Sequence, residues 1–457
     1  VSTRGDAPVL GFSDVLLAGL AADGGLYMPE EWPTLTQPST ARTYVERAVE
    51  VMLPFVEPDI DELTLTHLAT EAYSTFRHPA VVPLVQIDHN QWVQELFHGP
   101  TLAFKDVALQ LVGKLFDHVL AQRGERVTIV GATSGDTGSA AIDGVLGCEN
   151  IDIVILYPLG RTSDVQRKQM TTVDAPNVHA VAVEGTFDDC QDMVKAMFND
   201  VEFRQRNQLS AVNSINWARV MAQTVYYVTA SEMFDEPVTF SVPTGNFGNV
   251  LAGWIARKMG APIRDFIISS NTNDILTRFI NDNDMSARAV IPSLSPSMDI
   301  QVSSNFERLL FEMNGRDGGM TAEQMRRFRA TGKLLIEPDQ RATFLSGSIR
   351  AAAFDDARTL AEIKRVYDAT GGYVVEPHTA TATAAARMLS ANDGGGPVIT
   401  LATAHPAKFP DAVEQATGFR PELPAHLADL FDREERTQTV ANDLATVQAL
   451  VEELTAR

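Results

Sequence analysis

From about residue 81 onward, short β-branched runs alternate with stretches of helical pattern, and that alternation restricts the fold more than any other feature of the chain. The strand candidates are 126–130, 151–157, 178–183, 238–242, 265–269, 373–375 and 398–402. Between most of them lie the helical stretches 107–120, 190–198, 217–233 and 249–259. Continuous Val/Ile runs joined by helical crossovers predict an α/β core, a twisted and mostly parallel sheet covered on both faces. Residues 1–80 read differently, with Val15, Leu16 and Leu20 on one helical face and a second helical run over 44–55 ended by Pro54 and Pro58. The expected organisation is an N-terminal lobe at 1–80, the α/β core at 81–420 and a charged helical tail at 421–457. A smaller subdomain is expected within about 106–215, and the polar, Gly-rich 280–345 reads as an insertion with helices of its own.

Composition removes several classes of function. The 457 residues carry 37 Lys+Arg against 59 Asp+Glu, a formal charge of −22, which would repel nucleic acid and anionic membrane surfaces. No apolar run approaches the roughly 18–20 residues of a membrane span. The opening Val1-Ser2-Thr3-Arg4-Gly5 has no apolar signal core, and Cys148 and Cys190 are the only cysteines. A disulfide framework or thiolate zinc site is therefore not expected, and a reducing cytoplasm is. Only eight of the 37 basic residues are lysines, a short set in which to look for a nucleophilic amine.

Five segments could carry chemistry. In Phe97-His98-Gly99-Pro100-Thr101-Leu102-Ala103-Phe104-Lys105-Asp106, Lys105 follows an apolar stretch and opens an amphipathic helix. Desolvation there would favour the neutral amine that a Schiff-base lysine needs; equally, Lys105 could be an exposed first-turn residue beside Asp106. Gly131-Ala132-Thr133-Ser134-Gly135-Asp136-Thr137-Gly138 links a strand to a helix expected from Ser139, either as an anion-binding turn or as a bare one. Val242-Pro243-Thr244-Gly245-Asn246-Phe247-Gly248-Asn249 repeats that arrangement without a dinucleotide fingerprint, and a phosphate cradle fits its position in an open α/β sheet better than a ligand-free turn. Asn213-Ser214-Ile215-Asn216-Trp217-Ala218-Arg219 reads alone as an N-cap followed by an ordinary surface Arg, although Arg219 has the fork that suits a phosphate. In Thr403-Ala404-His405-Pro406-Ala407-Lys408-Phe409 no carboxylate or second His stands at ligand spacing, so His405 reads as structural and no metal site is expected.

Taken together, these segments resemble the threonine synthases, specifically the long bacterial and fungal type. The resemblance runs from Ser2-Thr3-Arg4-Gly5 and Ala22-Asp23-Gly24-Gly25-Leu26-Tyr27 through blocks at 98–106, 131–141, 157–170, 185–195, 212–219, 242–249, 295–305 and 403–409. It implies a fold-type-II pyridoxal-phosphate enzyme with a tryptophan-synthase-β-like core. Lys105 matches the lysine that binds the cofactor, Gly245, Asn246, Phe247, Gly248 and Asn249 match its phosphate loop, and Thr403 matches the hydroxyl beside the pyridine nitrogen. Asp136 aligns near the ring, at a position that is often Asn in shorter relatives. Ser134, Thr137, Asn213, Ser214 and Arg219 resemble groups that grip the substrate's phosphate and carboxylate. The implied substrate is O-phospho-L-homoserine, the implied product L-threonine, and the implied assembly a monomer or homodimer. Two helix N-termini, at Gly248 and Ser139, together with Arg219 would hold the two phosphates, each terminus favouring an anion by about 0.3–2 kcal/mol. One departure is Glu376-Pro377-His378-Thr379-Ala380-Thr381-Ala382, where the family more usually has Asp-Pro-His-Thr-Ala-Val-Gly. An amino-acid dehydratase, a sulfhydrylase, a phospho-lyase and a phosphometabolite-binding protein are the competing expectations.

Overall fold

The computed structural model describes residues 1–345, 348–390 and 396–456. The larger of its two main sheets has six strands, in the spatial order Leu84–Asp88, Gln91–Glu95, Val398–Ala402, Val238–Pro243, Ile263–Ser270 and Ile349–Ala353. Only the first pair is antiparallel. The smaller sheet is wholly parallel and runs Thr437–Ala441, Val178–Glu184, Ile151–Pro158, Val127–Ala132, Leu209–Ser210. Ile151–Pro158 and Val238–Pro243 are buried at every position, as strands with helices on both faces must be.

The expected strand-and-helix alternation is present, and the departures from it have physical causes. Residues 373–375 form no strand. Gly371 and Gly372, at φ 71° and 122°, break the chain there, and the run leads straight into the helix Pro377–Ser390. Its β-branched character serves burial instead, since Val375 packs with Ile363, Val366 and Ala380. Pro54 does not end the helix Tyr44–Val56 but lies inside its last turn, where the fully buried Val56 anchors the chain. After residue 421 the chain also supplies the strand Thr437–Ala441, ahead of the helix Leu444–Thr455. That helix buries Val447, Leu450 and Val451 against Cys190, Met193 and Met197. Between 280 and 345 lie the helices Phe306–Met313, Gly318–Thr331 and Pro338–Leu345.

Loops leaving the carboxyl ends of Val127–Ala132, Val238–Pro243 and Val398–Ala402 converge around Lys105 and Ser297, at the strand ends where open α/β sheets place their ligands. The chain just before Lys105 is stitched to the last of these loops. Phe104 N–H donates to the Thr403 carbonyl at 2.8 Å and His405 N–H to the Leu102 carbonyl at 3.0 Å. That pairing sets Lys105 beside Thr403.

Candidate active site

Lys105 opens the helix Lys105–Arg123. The loop before it is drawn tight by Asp106, which accepts from the Thr101 amide at 2.9 Å and the Thr101 hydroxyl at 2.5 Å. Residue 99 must be glycine, because an added Cβ would lie 2.5 Å from the Asp106 side chain. Burial raises the Asp106 carboxyl to about 7 despite these hydrogen bonds. Lys105 itself is only 8% exposed. Burial pushes its ammonium below the ordinary lysine range; Asp136 opposes that, while Lys408 and Arg219 add to it. The buried-amine reading therefore describes Lys105, and the exposed first-turn reading does not.

Asp136 starts the helix Asp136–Gly144, three residues ahead of the expected Ser139, so the carboxylate itself occupies the helix N-terminus. Oδ2 of Asp136 is 3.6 Å from Lys105 Nζ, and its Oδ1 is 2.8 Å from both Lys408 Nζ and Gln166 Nε2. Burial alone would raise this acid, but Lys408 and Lys105 hold it far below the usual carboxylate range. The turn ahead of it is shaped by the Thr133 hydroxyl, which accepts from the Gly135 and Gly138 amides at 2.9 and 2.8 Å. Ser134 and Thr137 stand half-buried on this turn.

The second glycine turn opens the helix Gly248–Met259 with Phe247 at φ 64° and no side-chain cap. Its carbonyls are held from behind, Gly245 by the Ser303 hydroxyl at 2.8 Å and Asn246 by the Asn305 amide at 3.0 Å. The N–H groups of the first turn are thereby left to an anion. Gly245 presses on the Ser297 carbonyl, which would lie 2.8 Å from an added Cβ. The Asn249 side-chain oxygen accepts from Tyr226 and Tyr227 at 2.5 and 2.9 Å, while its buried Nδ2 has no partner.

Ser297 joins these parts. Its hydroxyl lies 3.5 Å from both Lys105 Nζ and Asp136 Oδ2, and its amide donates to His378 Nε2 at 3.2 Å. His378 in turn meets Glu376 through Nδ1 at 2.6 Å. The fully buried Glu376 also accepts from the Thr379 amide and hydroxyl at 2.8 and 2.7 Å, and from the Thr403 hydroxyl at 3.5 Å.

Arg219 is 4% exposed, not the surface residue that its segment implies when read alone. Its Nη1 reaches the Val212 carbonyl only at 3.5 Å, its Nε has no partner, and burial brings its pKa down to about 10. Ser214 is half-buried, and its carbonyl accepts from Asn305 Nδ2 at 2.9 Å. Asn213 is exposed and uses its side-chain oxygen on the Ile215 amide at 3.2 Å, so it stands outside the buried cluster. His405 is structural: its Nδ1 accepts from the Ala407 amide at 3.1 Å, its ring packs on Phe97, and burial lowers its pKa to about 4. Among the described residues no cluster of His, Cys, Asp and Glu could hold a metal ion, and no helix is long and apolar enough to cross a membrane.

Lys408, Ser297 and Gln166 touch this site though the sequence alone assigns them no role. Glu376 and His378 lie in the segment whose departure from the family pattern the resemblance places in contact under the cofactor. One signal did exist for Lys408, a lysine set between Ala407 and Phe409 just after an apolar strand.

A buried lysine set among loops of both sheets and linked through Ser297 to an uncapped glycine turn defines a class. Residues 76–345 match the family model described as pyridoxal-phosphate dependent enzyme. Residues 1–73 match the threonine synthase N terminus and residues 379–451 the threonine synthase C-terminal region. A threonine synthase of Pseudomonas aeruginosa is 54% identical over 99% of this chain and 97% of its own. Among solved structures, the PLP-bound threonine synthase from Brucella melitensis superposes with a TM-score of 0.96 at 50% identity, covering 100% of this chain and 99% of that one. The yeast threonine synthase does so with 0.94 at 38%, covering 100% and 98%. The chain belongs to the threonine synthase family.

Membership makes pyridoxal 5′-phosphate the cofactor, and the residues present fit it. The site offers a buried amine of depressed pKa, an uncapped helix N-terminus for a phosphate and an unpartnered Asn249 Nδ2 beside it.

Proposed function

We propose that this chain converts O-phospho-L-homoserine and water into L-threonine and inorganic phosphate, with Lys105 as its catalytic base. The carrying observation is Arg219, a buried guanidinium with an unpartnered Nε, present in addition to the uncapped turn at 245–249. A pyridoxal enzyme acting on serine or threonine needs one phosphate site; this chain has donors for a second anion.

When bound, the cofactor supplies an electron sink for negative charge at the substrate Cα. The amides of Gly245, Asn246, Phe247 and Gly248 and the Asn249 carboxamide are assigned to its phosphate, and Thr403 to its ring nitrogen. Arg219, Ser134, Thr137, Asn213 and Ser214 are assigned to the substrate's phosphate and carboxylate. Lys105, buried and with its ammonium disfavoured by that burial, removes the Cα proton and is the economical carrier for the transfers at Cβ. A Cβ proton and the phosphate on Cγ depart, Cγ takes up a proton and becomes the methyl group, water adds its hydroxyl at Cβ, and a proton returns to Cα. Local donors must outweigh the field of a chain of charge −22, and buried ones are screened far less than surface charge.

The same reading places the reaction in the cytoplasm, supported by two free and buried thiols, and in a monomer or homodimer. It also divides the chain into a lobe at 1–80, a catalytic core at 81–420 and a tail from 421. The all-parallel sheet, drawn mainly from 127–210, supports a small subdomain within about 106–215.

An assay with phosphohomoserine tests the proposal. Equimolar phosphate and threonine are expected. Phosphate without threonine would mark a phospho-lyase, and ammonia from serine or threonine without phosphate release would mark a dehydratase.

A further inference from the structure

Two lysines share one carboxylate in the site. Asp136 Oδ1 is 2.8 Å from Lys408 Nζ and its Oδ2 is 3.6 Å from Lys105 Nζ. Lys408 has no exposure to solvent, and its ammonium also donates to the Thr101 carbonyl at 2.8 Å. These contacts join three parts of the fold. Lys408 follows the strand Val398–Ala402 of the larger sheet, Asp136 follows Val127–Ala132 of the smaller one, and Thr101 belongs to the loop that delivers Lys105.

We propose that Lys408 is a positioning residue for this reaction: it neutralises and fixes Asp136 across the gap between the sheets, and so leaves Lys105 as an uncharged amine. A single buried carboxylate can balance one buried ammonium. Lys408 has the closer approach to Asp136 and a second acceptor in Thr101, so the charge belongs there. Were Lys105 charged instead, the shorter ion pair would be given up for the longer one. Were both charged, two ammoniums and Arg219 would face one acid.

The other ionisable groups facing the trio do not replace Lys408 in this task. Arg219 is a further cation near Lys105. Asp106, near Lys408, spends its acceptors on Thr101. His405, also near Lys408, is kept neutral by burial. Glu376 and His378 reach the trio only through Ser297.

The inference rests on Lys105 being the working amine, and its test is separable from that assignment. In the full chain stripped of cofactor, Lys105 is modified by acetic anhydride across a pH series and followed by peptide mass spectrometry, which reads the protonation of that amine directly. Where the cofactor attaches is read separately, by borohydride reduction of the loaded protein. Lys408→Met is expected to move the Lys105 midpoint upward by about one pH unit or more, the effect of an opposite charge left uncompensated at this range. Labelling below the midpoint then slows about tenfold per unit. Lys408→Met with Asp136→Asn is expected to return the midpoint to the wild-type value or below. An unchanged midpoint in folded Lys408→Met overturns the proposal, as does a double variant that keeps the raised one. If Lys408→Met alone gives no cooperative melt, the double variant must recover it, because both members of the buried pair are then gone. A double variant that also fails to melt cooperatively overturns the proposal.

Discussion

Gln166 donates to Asp136 at 2.8 Å through space that any side chain at residue 135 would fill. A Cβ added to Gly135 would stand 2.4 Å from the Gln166 carboxamide, and Gly135 sits at φ 143°. The smallest residue here thus governs how the acid beside Lys105 is held.

Gly135→Ala should therefore push Gln166 off Asp136 and strain the turn together. The strain costs on the order of 1–3 kcal/mol, so the melting temperature should drop by several degrees. Turnover should fall further than that loss explains, because Asp136 loses a partner. Thermal melts and kcat measured on one preparation check this, and unchanged kcat would separate Gln166 from the working site.

Arg219→Met should separate stability from function. It removes a buried charge whose Nε has no partner, and an uncompensated buried charge weakens the fold. The variant is expected to melt at a higher temperature than the parent, while KM for phosphohomoserine rises by about a hundredfold or more, the scale of a lost charge-assisted pair. Cofactor affinity should change far less. Equal losses for cofactor and substrate would move Arg219 to the cofactor's phosphate.

Asn249→Asp tests the other anion site. It exchanges an unpartnered buried amide for a carboxylate next to the first turn of Gly248–Met259, which would repel a phosphate. Cofactor affinity, followed by absorbance on titration, should fall by at least tenfold, while the two tyrosine hydrogen bonds to the remaining oxygen hold the local fold.

Asp106 gives a pH prediction of definite sign. Burial raises its carboxyl to about 7, against about 3.9 in an unfolded chain. Between those values the folded chain binds the extra proton, so this residue's contribution to stability is present at low pH and is lost as pH rises towards 7. Asp106→Asn keeps the shape and removes the titration. Denaturant melts at pH 5 and pH 8 should show the variant losing less stability over that interval than the parent, by a few kcal/mol at most. An identical difference in both would show that Asp106 is ionised throughout.

What could be read before the structure was local. The strand-to-helix turns at 131–138 and 242–249 announce themselves through glycine and hydroxyl residues, and Ile151–Pro158 through an apolar run interrupted only at Asp152. The strands Leu84–Asp88, Gln91–Glu95 and Thr437–Ala441 escaped notice because they mix polar residues into short edge or near-edge positions. The run at 373–375 misled for the opposite reason: buried β-branched residues look alike in strand and coil. At the site, Lys105 carries a local pattern. Lys408 and Ser297 owe their places to partners far along the chain, and no spacing rule reaches that far; Glu376 is held locally by His378 and Thr379, and only its 3.5 Å contact with Thr403 is distant. Arg219 shows the same limit, since its segment reads as helix surface while its surroundings bury it.

The most direct measurement is borohydride reduction of the cofactor-loaded protein, followed by digestion and mass spectrometry. The account predicts a phosphopyridoxyl adduct on Lys105. An adduct on any of the other seven lysines, or on none, would contradict it.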